Sequence, residues 1–429
     1  MKRPSTHIHL QLKFPLLVLA GLLAAAFVLP DRVWNTMLAG FGGMYLAAWL
    51  WARALAKGLH GSRQLRFGWV SVGDRLEENF SLRNESWLPA LWVEILDESN
   101  VPGYRTAVIR SVAAGGTDQW RNAAICERRG QFHLGPWAIR SSDPFGLFSL
   151  TIEYPVVDEV IIHPPIYGRL PIPLPAGQSN GRVRASQRAP QATLNAASVR
   201  PYHATDPQRW IHWPSTARRD ELFVREFDLD AAGDIWLLLD MQAEVQLGQG
   251  IESTEEQAVL MAASLAARAL RQNRAVGLAG YGRIPQVVSA GRGQGQRWRI
   301  LRALALMQAD GDSNLSVSLR DLGQVARRGA AAVIITPNTS AAWLPDLVTL
   351  AQKGIESHVI LLDRPSFGGA GPSLALQESI HQLGFNATII QRNEIGQPLL
   401  DQQRRGFWEF RVTGTGKVVA VRNPLLERN

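Results

Sequence analysis

The sequence predicts a multidomain, membrane-anchored chain: a transmembrane helical hairpin, an antiparallel β-sandwich-like module, then an α/β domain with a mostly parallel sheet. Three observations carry that expectation. Two uncharged apolar runs occupy residues 14–29 and 33–52. Short alternating runs bounded by turn residues fill about residues 62–168. Beyond residue 200, apolar strands are separated by single amphipathic helices, the pattern of right-handed crossovers.

Composition sets the outer limits. A chain of 429 residues has room for two or three domains of roughly 100–200 residues each. Its 46% hydrophobic and 19% charged content describes a folded polymer with ample core. Lys and Arg outnumber Asp and Glu by 45 to 37, a net charge of +8 that suits an anionic bilayer surface. No helix-turn-helix, RNP or zinc-finger pattern accompanies the charge, so nucleic acid is not an expected partner. A single cysteine, Cys126, excludes an internal disulfide and any Cys-based metal cluster, and reads as a small buried apolar residue.

At about 1.5 Å per residue the run 33–52 crosses a hydrocarbon layer of about 30 Å, and 14–29 is a shorter companion. Pro15 falls in a first helical turn, where no backbone donor is lost. Lys2, Arg3 and Lys13 precede the hairpin, while Arg53, Lys57, Arg63 and Arg66 follow it. The positive-inside rule then places both termini in the cytoplasm, at the inner (plasma) membrane, with the lipid bilayer as a partner.

Across residues 62–168 the strand rhythm suggests a small antiparallel sandwich or barrel. Asp143-Pro144-Phe145-Gly146 has the type I turn preference: an acid first, proline second, glycine fourth. The preferred reading is a hairpin turn with Phe145 tucked into the core. The alternative is a ligand loop, which would make the module a sensor. Residues 169–199 form a Pro/Ala/Gln-rich linker, and 396–429 a C-terminal extension.

The α/β domain, residues 200–395, opens on the most unusual stretch of the chain. Asp206 before Pro207 reads as a helix start. Arg209, Ile211 and Trp213 then distribute around a short helix that Pro214 ends or kinks. Leu222–Phe227 reads as a strand beside Ile235–Leu239, which ends on Asp240, where open α/β sheets place their ligands. His203, Asp206, His212 and Ser215 could be assembled with Asp240 into a metal-dependent enzyme site. Their spacing matches neither H-E-x-x-H nor G-x-S-x-G. A polar latch against the sheet edge is the preferred reading. A partner surface built from Arg200, Tyr202, Asp206, Arg209, His212, Trp213 and Arg218 is the second.

The order of elements, with an acid closing the first central strand, resembles a von Willebrand factor type A domain. Two stretches resemble a bacterial membrane-anchored family, domain of unknown function 58. One is DPFGLF at 143–148, preceded by RRGQFHLGP. The other is Arg200-Pro201-Tyr202 with Asp206, Arg209, Ile211-His212-Trp213, Ala217-Arg218 and Leu222–Phe227. The type A resemblance implies a cation loop of the form Asp-x-Ser-x-Ser. This chain has Asp240-Met241-Gln242-Ala243-Glu244, so both serines are gone. Ser313 keeps one hydroxyl, and Pro337 stands about where a third-loop acid would be. Asp240, Gln242, Glu244 and Ser313 are therefore residual ion-site positions. No cofactor is expected, with Mg2+ as the open alternative. The resemblance further implies a MoxR-type AAA+ ATPase as partner, in assembly or maturation of an envelope complex. The resulting expectation is a non-enzymatic, cytoplasm-facing interaction scaffold, its rivals being a metal-dependent enzyme and a ligand sensor.

Overall fold

A computed structural model of the chain describes residues 4–28, 31–65, 70–168, 170, 172–175, 196–202, 208, 211–219, 221–227, 233–371, 373–392, 394–395, 409–412 and 418–422. They form two compact units, Met1–Pro165 with Gln397–Asn429, and Ile166–Gly396.

In the first unit a strand, β1 (Ser5–Leu10), precedes two helices, α1 (Phe14–Val28) and α2 (Arg32–Gly58). Ten further strands follow: β2 (Leu59–Leu65), β3 (Val70–Ser71), β4 (Arg75–Asn84), β5 (Ala90–Asp97), β6 (Ile109–Val112), β7 (Thr117–Ile125), β8 (Gly130–Leu134), β9 (Trp137–Ser142), β10 (Phe148–Tyr154) and β11 (Asp158–His163). They make a five-stranded sheet β1-β10-β9-β5-β6, a three-stranded sheet β2-β4-β7 and a small sheet β3-β11-β8. Alternation explains the packing. Along β4, Leu76, Glu78, Phe80, Leu82 and Asn84 are buried while their neighbours are more open. Leu82 and Phe80 meet Val93, Ile95, Ile139 and Leu150 of the larger sheet in one core.

Glu78 is the charge on that buried side, and Arg63 of β2 answers it. The Arg63 side chain is 5% exposed. Its Nε donates to Glu78 Oε1 at 2.9 Å, and its Nη1 and Nη2 donate to the two Asp97 oxygens at 3.2 and 3.3 Å. Tyr104 OH donates to Glu78 Oε2, while Ser99 and Thr106 hydroxyls donate to Asp97. Burial alone would pull the Arg63 guanidinium down. Its hydrogen bond to Glu78 and the surrounding acids raise it above its usual value. Cys126 is also buried, and desolvation pushes its thiol up to about 12.

The transmembrane hairpin expected over 14–29 and 33–52 is overturned. The helix α1 has 15 residues. That is about 22 Å at about 1.5 Å per residue, short of a bilayer core. The helix α2 has 27 residues but starts on Arg32 and carries Arg53 and Lys57. Its last turns belong to the β module: Leu55 enters the sandwich core, and Ala48 and Ala52 pack with Leu147 and Phe148. Among the described residues no helix is long and apolar enough to cross a membrane. The multi-pass inner-membrane location with two cytoplasmic termini falls for the same reason. Ahead of the helices the chain pairs as β1 along β10, from Ser5 opposite Glu153 to Leu10 opposite Phe148. The N-terminal region is thus part of a β-rich body.

The second unit is an α/β sheet. Its elements are β12 (Ala196–Pro201), α3 (Trp213–Arg219), β13 (Phe223–Phe227), β14 (Ile235–Leu239), α4 (Thr254–Arg271), β15 (Val276–Gly280), β16 (Gln286–Gly291), α5 (Gly293–Leu306), α6 (Leu315–Val325), β17 (Ala331–Thr336), α7 (Leu344–Gln352), β18 (Glu356–Leu362), α8 (Ser373–Gln382) and β19 (Asn386–Ile390). The six-stranded sheet runs β16-β15-β14-β17-β18-β19, parallel except for the edge strand β16. Helices α4 and α5 cover one face and α6, α7 and α8 the other, so β14, β15 and β17 are buried on both sides and read as apolar runs. Ser253 caps α4, its hydroxyl accepting from Glu256 N at 3.2 Å.

The strand β13 does not lie beside Ile235–Leu239. Both edges of β14 are taken by β15 and β17, and β13 pairs instead with β12 in a separate two-stranded ribbon. The start of the stretch read as a linker is docked on this unit. Leu170 and Ile172 are buried in its core. Ser264 Oγ accepts from Tyr167 N at 2.9 Å, Arg268 donates to the carbonyls of Leu170 and Ile172, and Arg274 donates to that of Pro175 at 2.6 Å. Residues 176–195 lie outside the described residues. In the C-terminal extension, β20 (Glu409–Val412) and β21 (Val418–Arg422) pair antiparallel.

Candidate functional site

Strand order reverses at β14: the chain proceeds to β15 and β16 on one side, then to β17, β18 and β19 on the other. In open α/β sheets the crevice at that reversal, beyond the carboxyl ends of the strands, is the ligand position. Here it lies between β14 and β17. Leu239 is opposite Ile335, so the next residues, Asp240 and Thr336, face each other as the first polar groups after two apolar runs.

Asp240 is 2% exposed. Its Oδ2 accepts from Thr336 Oγ1 at 2.7 Å and its Oδ1 from Gln242 N at 3.2 Å. The Thr336 hydroxyl in turn accepts from Asn338 N at 2.9 Å. Gln246 donates to the Asp240 carbonyl at 2.8 Å, and the Gln242 amide donates to Glu244 Oε2 at 3.2 Å. From the other side, Gly311 pairs with Gln242 and accepts from Ala243 N at 2.9 Å. The mouth of the crevice is laced shut by its own hydrogen bonds.

This arrangement does not fit a divalent cation. Hard ions need several converging oxygens, and both Asp240 oxygens are engaged by protein donors. Gln242 offers its amide to Glu244, and Ser313 is exposed on the loop beyond Gly311. Among the described residues no three His, Cys, Asp or Glu side chains gather as a metal set.

Burial raises the Asp240 pKa above the ordinary carboxylate value, and the bonds from Thr336 and Gln242 offset part of that rise. An acid with a raised folded-state pKa binds its proton more tightly in the native state. Stability then falls as pH climbs from the ordinary value through the raised one. Asp240→Asn is expected to be at least as stable as the parent at pH 7, with the parent gaining on it as pH falls toward 4. Each ~1 kcal/mol corresponds to about 2–4 °C in Tm for a unit of this size. Melting curves from pH 4 to 8 check this; a parent that gains on the variant as pH rises contradicts it.

The partner surface read from the sequence is only partly described. His203, Asp206 and Arg209 lie outside the described residues, and Arg200 is seen only as backbone, opposite Val224. Tyr202 N donates to Leu222 O at 2.8 Å. His212 is half-buried, its N donating to Phe223 O at 2.7 Å and its Nδ1 lying 2.7 Å from Ser215 Oγ. Trp213 and Arg218 are exposed. Pro214 does not end a helix: α3 begins at Trp213, so the proline sits in its first turn, where its missing donor is harmless. The His212–Ser215 contact is a first-turn contact between residues three apart.

The Asp143-Pro144-Phe145-Gly146 turn is inverted relative to expectation. Phe145 is 53% exposed, while Leu147 and Phe148 fill the core behind it. Asp143 is buried and holds the turn by accepting from Phe145 N at 2.8 Å and Phe148 N at 2.6 Å. Gly146, at φ 67°, takes the left-handed position that disfavours a Cβ.

Thr336 and Gln246 escape sequence reasoning. A signal existed for the first: a threonine closes an otherwise apolar strand in the run AAVIIT.

Residues 198–363, from β12 through the end of β18, match the family described as Protein of unknown function DUF58. An uncharacterised protein of Bacillus subtilis (strain 168), YeaD, is 25% identical over 304 residues, covering 68% of this chain and 73% of its own length. Among solved structures, a von Willebrand factor type A protein from Catenulispora acidiphila aligns with a TM-score of 0.27 at 13% identity, over 40% of this chain and 41% of that one. A β-glucosidase from Listeria innocua aligns with a TM-score of 0.17 at 9% identity, over 24% of this chain and 16% of that one. The chain spans less than half of either structure.

Proposed function

We propose that the chain is a non-enzymatic interaction scaffold whose α/β unit binds another protein at the carboxyl edge of its sheet. The Asp240–Thr336 hydrogen bond carries this reading, because it commits the crevice carboxylate to the fold and leaves the rim residues as the presented surface. Glu244, Asn338 and Ser340 stand on that rim. The partner proposed is a AAA+ ATPase, as the likeness to type A domain proteins suggests, and the process is assembly of a larger complex.

Native co-purification tests it. The full chain is expected to recover such an ATPase, and Glu244→Arg combined with Ser340→Arg to lose it. Repeated recovery of the protein alone counts against the scaffold. So does a metal-stimulated hydrolytic activity that His212→Ala or Asp240→Ala abolishes in folded protein.

A further inference from the structure

The edge strand β16 presents a feature that the crevice does not use. Natural sheets protect an open edge with charge, proline or a covering element. The strand β16, QVVSAG, has neither charge nor proline. Val287 is 44% exposed, and Ile284, in the hairpin leading into the strand, is 73% exposed. A register shift between Val276 and Leu278 interrupts the pairing of β16 with β15 near Gly291. An uncharged edge of this kind is a template for one more strand.

The flanking helix selects what that strand carries. The α5 sequence GQGQRWRILRALAL contains three arginines and no acid, and Arg292 precedes it. Arg292, Arg299 and Arg302 are exposed, and Trp298 is 40% exposed. On a helix, Trp298, Arg299 and Arg302 share one outward stripe. Gln296 ties the first turn of α5 to this edge, its Nε2 donating to Ser289 O at 2.7 Å and Val276 O at 2.8 Å. Beyond the helix, the first acid, Asp310, lies near Arg283, which it meets at 3.8 Å.

We infer that β16 and the exposed stripe of α5 form a docking site for an acidic, extended segment of a partner protein, which adds as a seventh strand. Main-chain hydrogen bonds from β16 supply affinity. The arginines select acids on the face that α5 covers, and Val287, opposite Ala279 on the other face, receives apolar side chains at the alternate positions. A second copy of this chain is a poor occupant, since edge-to-edge pairing brings two α5 arginine stripes together. Nucleic acid would use the arginines but not the uncharged edge. The inference rests on the scaffold role proposed above, but its residues are separate from the crevice rim.

The test uses the full chain and a fluorescein-labelled nine-residue peptide of alternating Glu and Val, followed by anisotropy, with a Lys-for-Glu counterpart. The acidic peptide is expected to bind at least about tenfold more tightly than the basic one. Val287→Lys, and separately Arg299→Glu with Arg302→Glu, should each weaken it by about tenfold or more, with unchanged melting curves. Amide exchange across residues 286–290 should slow on binding. Equal binding of the two peptides overturns the inference, as does indifference to Val287→Lys. Tighter binding of a single-stranded oligonucleotide without protection of β16 also overturns it, and so does self-association that Val287→Lys removes. The Glu244→Arg, Ser340→Arg variant should bind the peptide normally. Failure of the parent chain to recover the ATPase, or undiminished recovery by this variant, with intact peptide binding therefore rejects the crevice reading alone.

Discussion

Arg63→Ala is expected to destabilise the β module by about 3–5 kcal/mol, the usual result of removing one partner from a buried ion pair. The substitution leaves Glu78 and Asp97 facing each other in the core with only neutral donors from Tyr104, Ser99 and Thr106. Arg63→Lys should recover little. One ammonium cannot reproduce the fork that reaches Glu78 through Nε and both Asp97 oxygens through its two other nitrogens. Urea denaturation followed by tryptophan fluorescence measures the loss. Arg83→Ala serves as the control: its pair with Glu85, at 3.1 Å, is solvent-exposed and contributes under ~1 kcal/mol. Two variants of equal stability would show that the Arg63 network has no special weight.

Gly311→Ala is expected to loosen the crevice, at about 1–3 kcal/mol. A Cβ there would stand 2.4 Å from Tyr281 O and 2.9 Å from Gly282 Cα. Both are backbone atoms, which have no rotamer with which to retreat. The loop would have to move off the β15–β16 hairpin, and Gly311 also braces Gln242 and Ala243 beside Asp240. Faster amide exchange at Gln242 and Ala243, with a lower Tm, is the signature. An unchanged exchange pattern would mean the loop is free to yield.

The α/β unit was the most legible part of the chain. Its central strands are buried on both faces, and Ile235–Leu239 therefore carries no polar residue at all. The end of that run located Asp240. Its partner Thr336 is 96 residues away, and only sheet register brings the two together. Arg63 shows the same limit. From composition it was one of several cations after an apolar run. In the fold it lies on β2 opposite Phe80, two positions along from Glu78. The helices misled for a different reason. An apolar helix that ends in the core of a sandwich, as α2 does through Leu55, has much the same composition as one that spans lipid. What separates them is where the helix stops and what receives it.

The burial of Cys126 has a practical consequence. It is the sole thiol in the chain, and at pH 7–8 a group held near 12 stays protonated and unreactive toward maleimides and iodoacetamides. A cysteine introduced at an open position such as Ile284 or Ser340 would thus be the one labelled, without first engineering the native one away. Fluorophores or spin labels set at the sheet edge and at the crevice rim can then report separately which surface a candidate partner occupies.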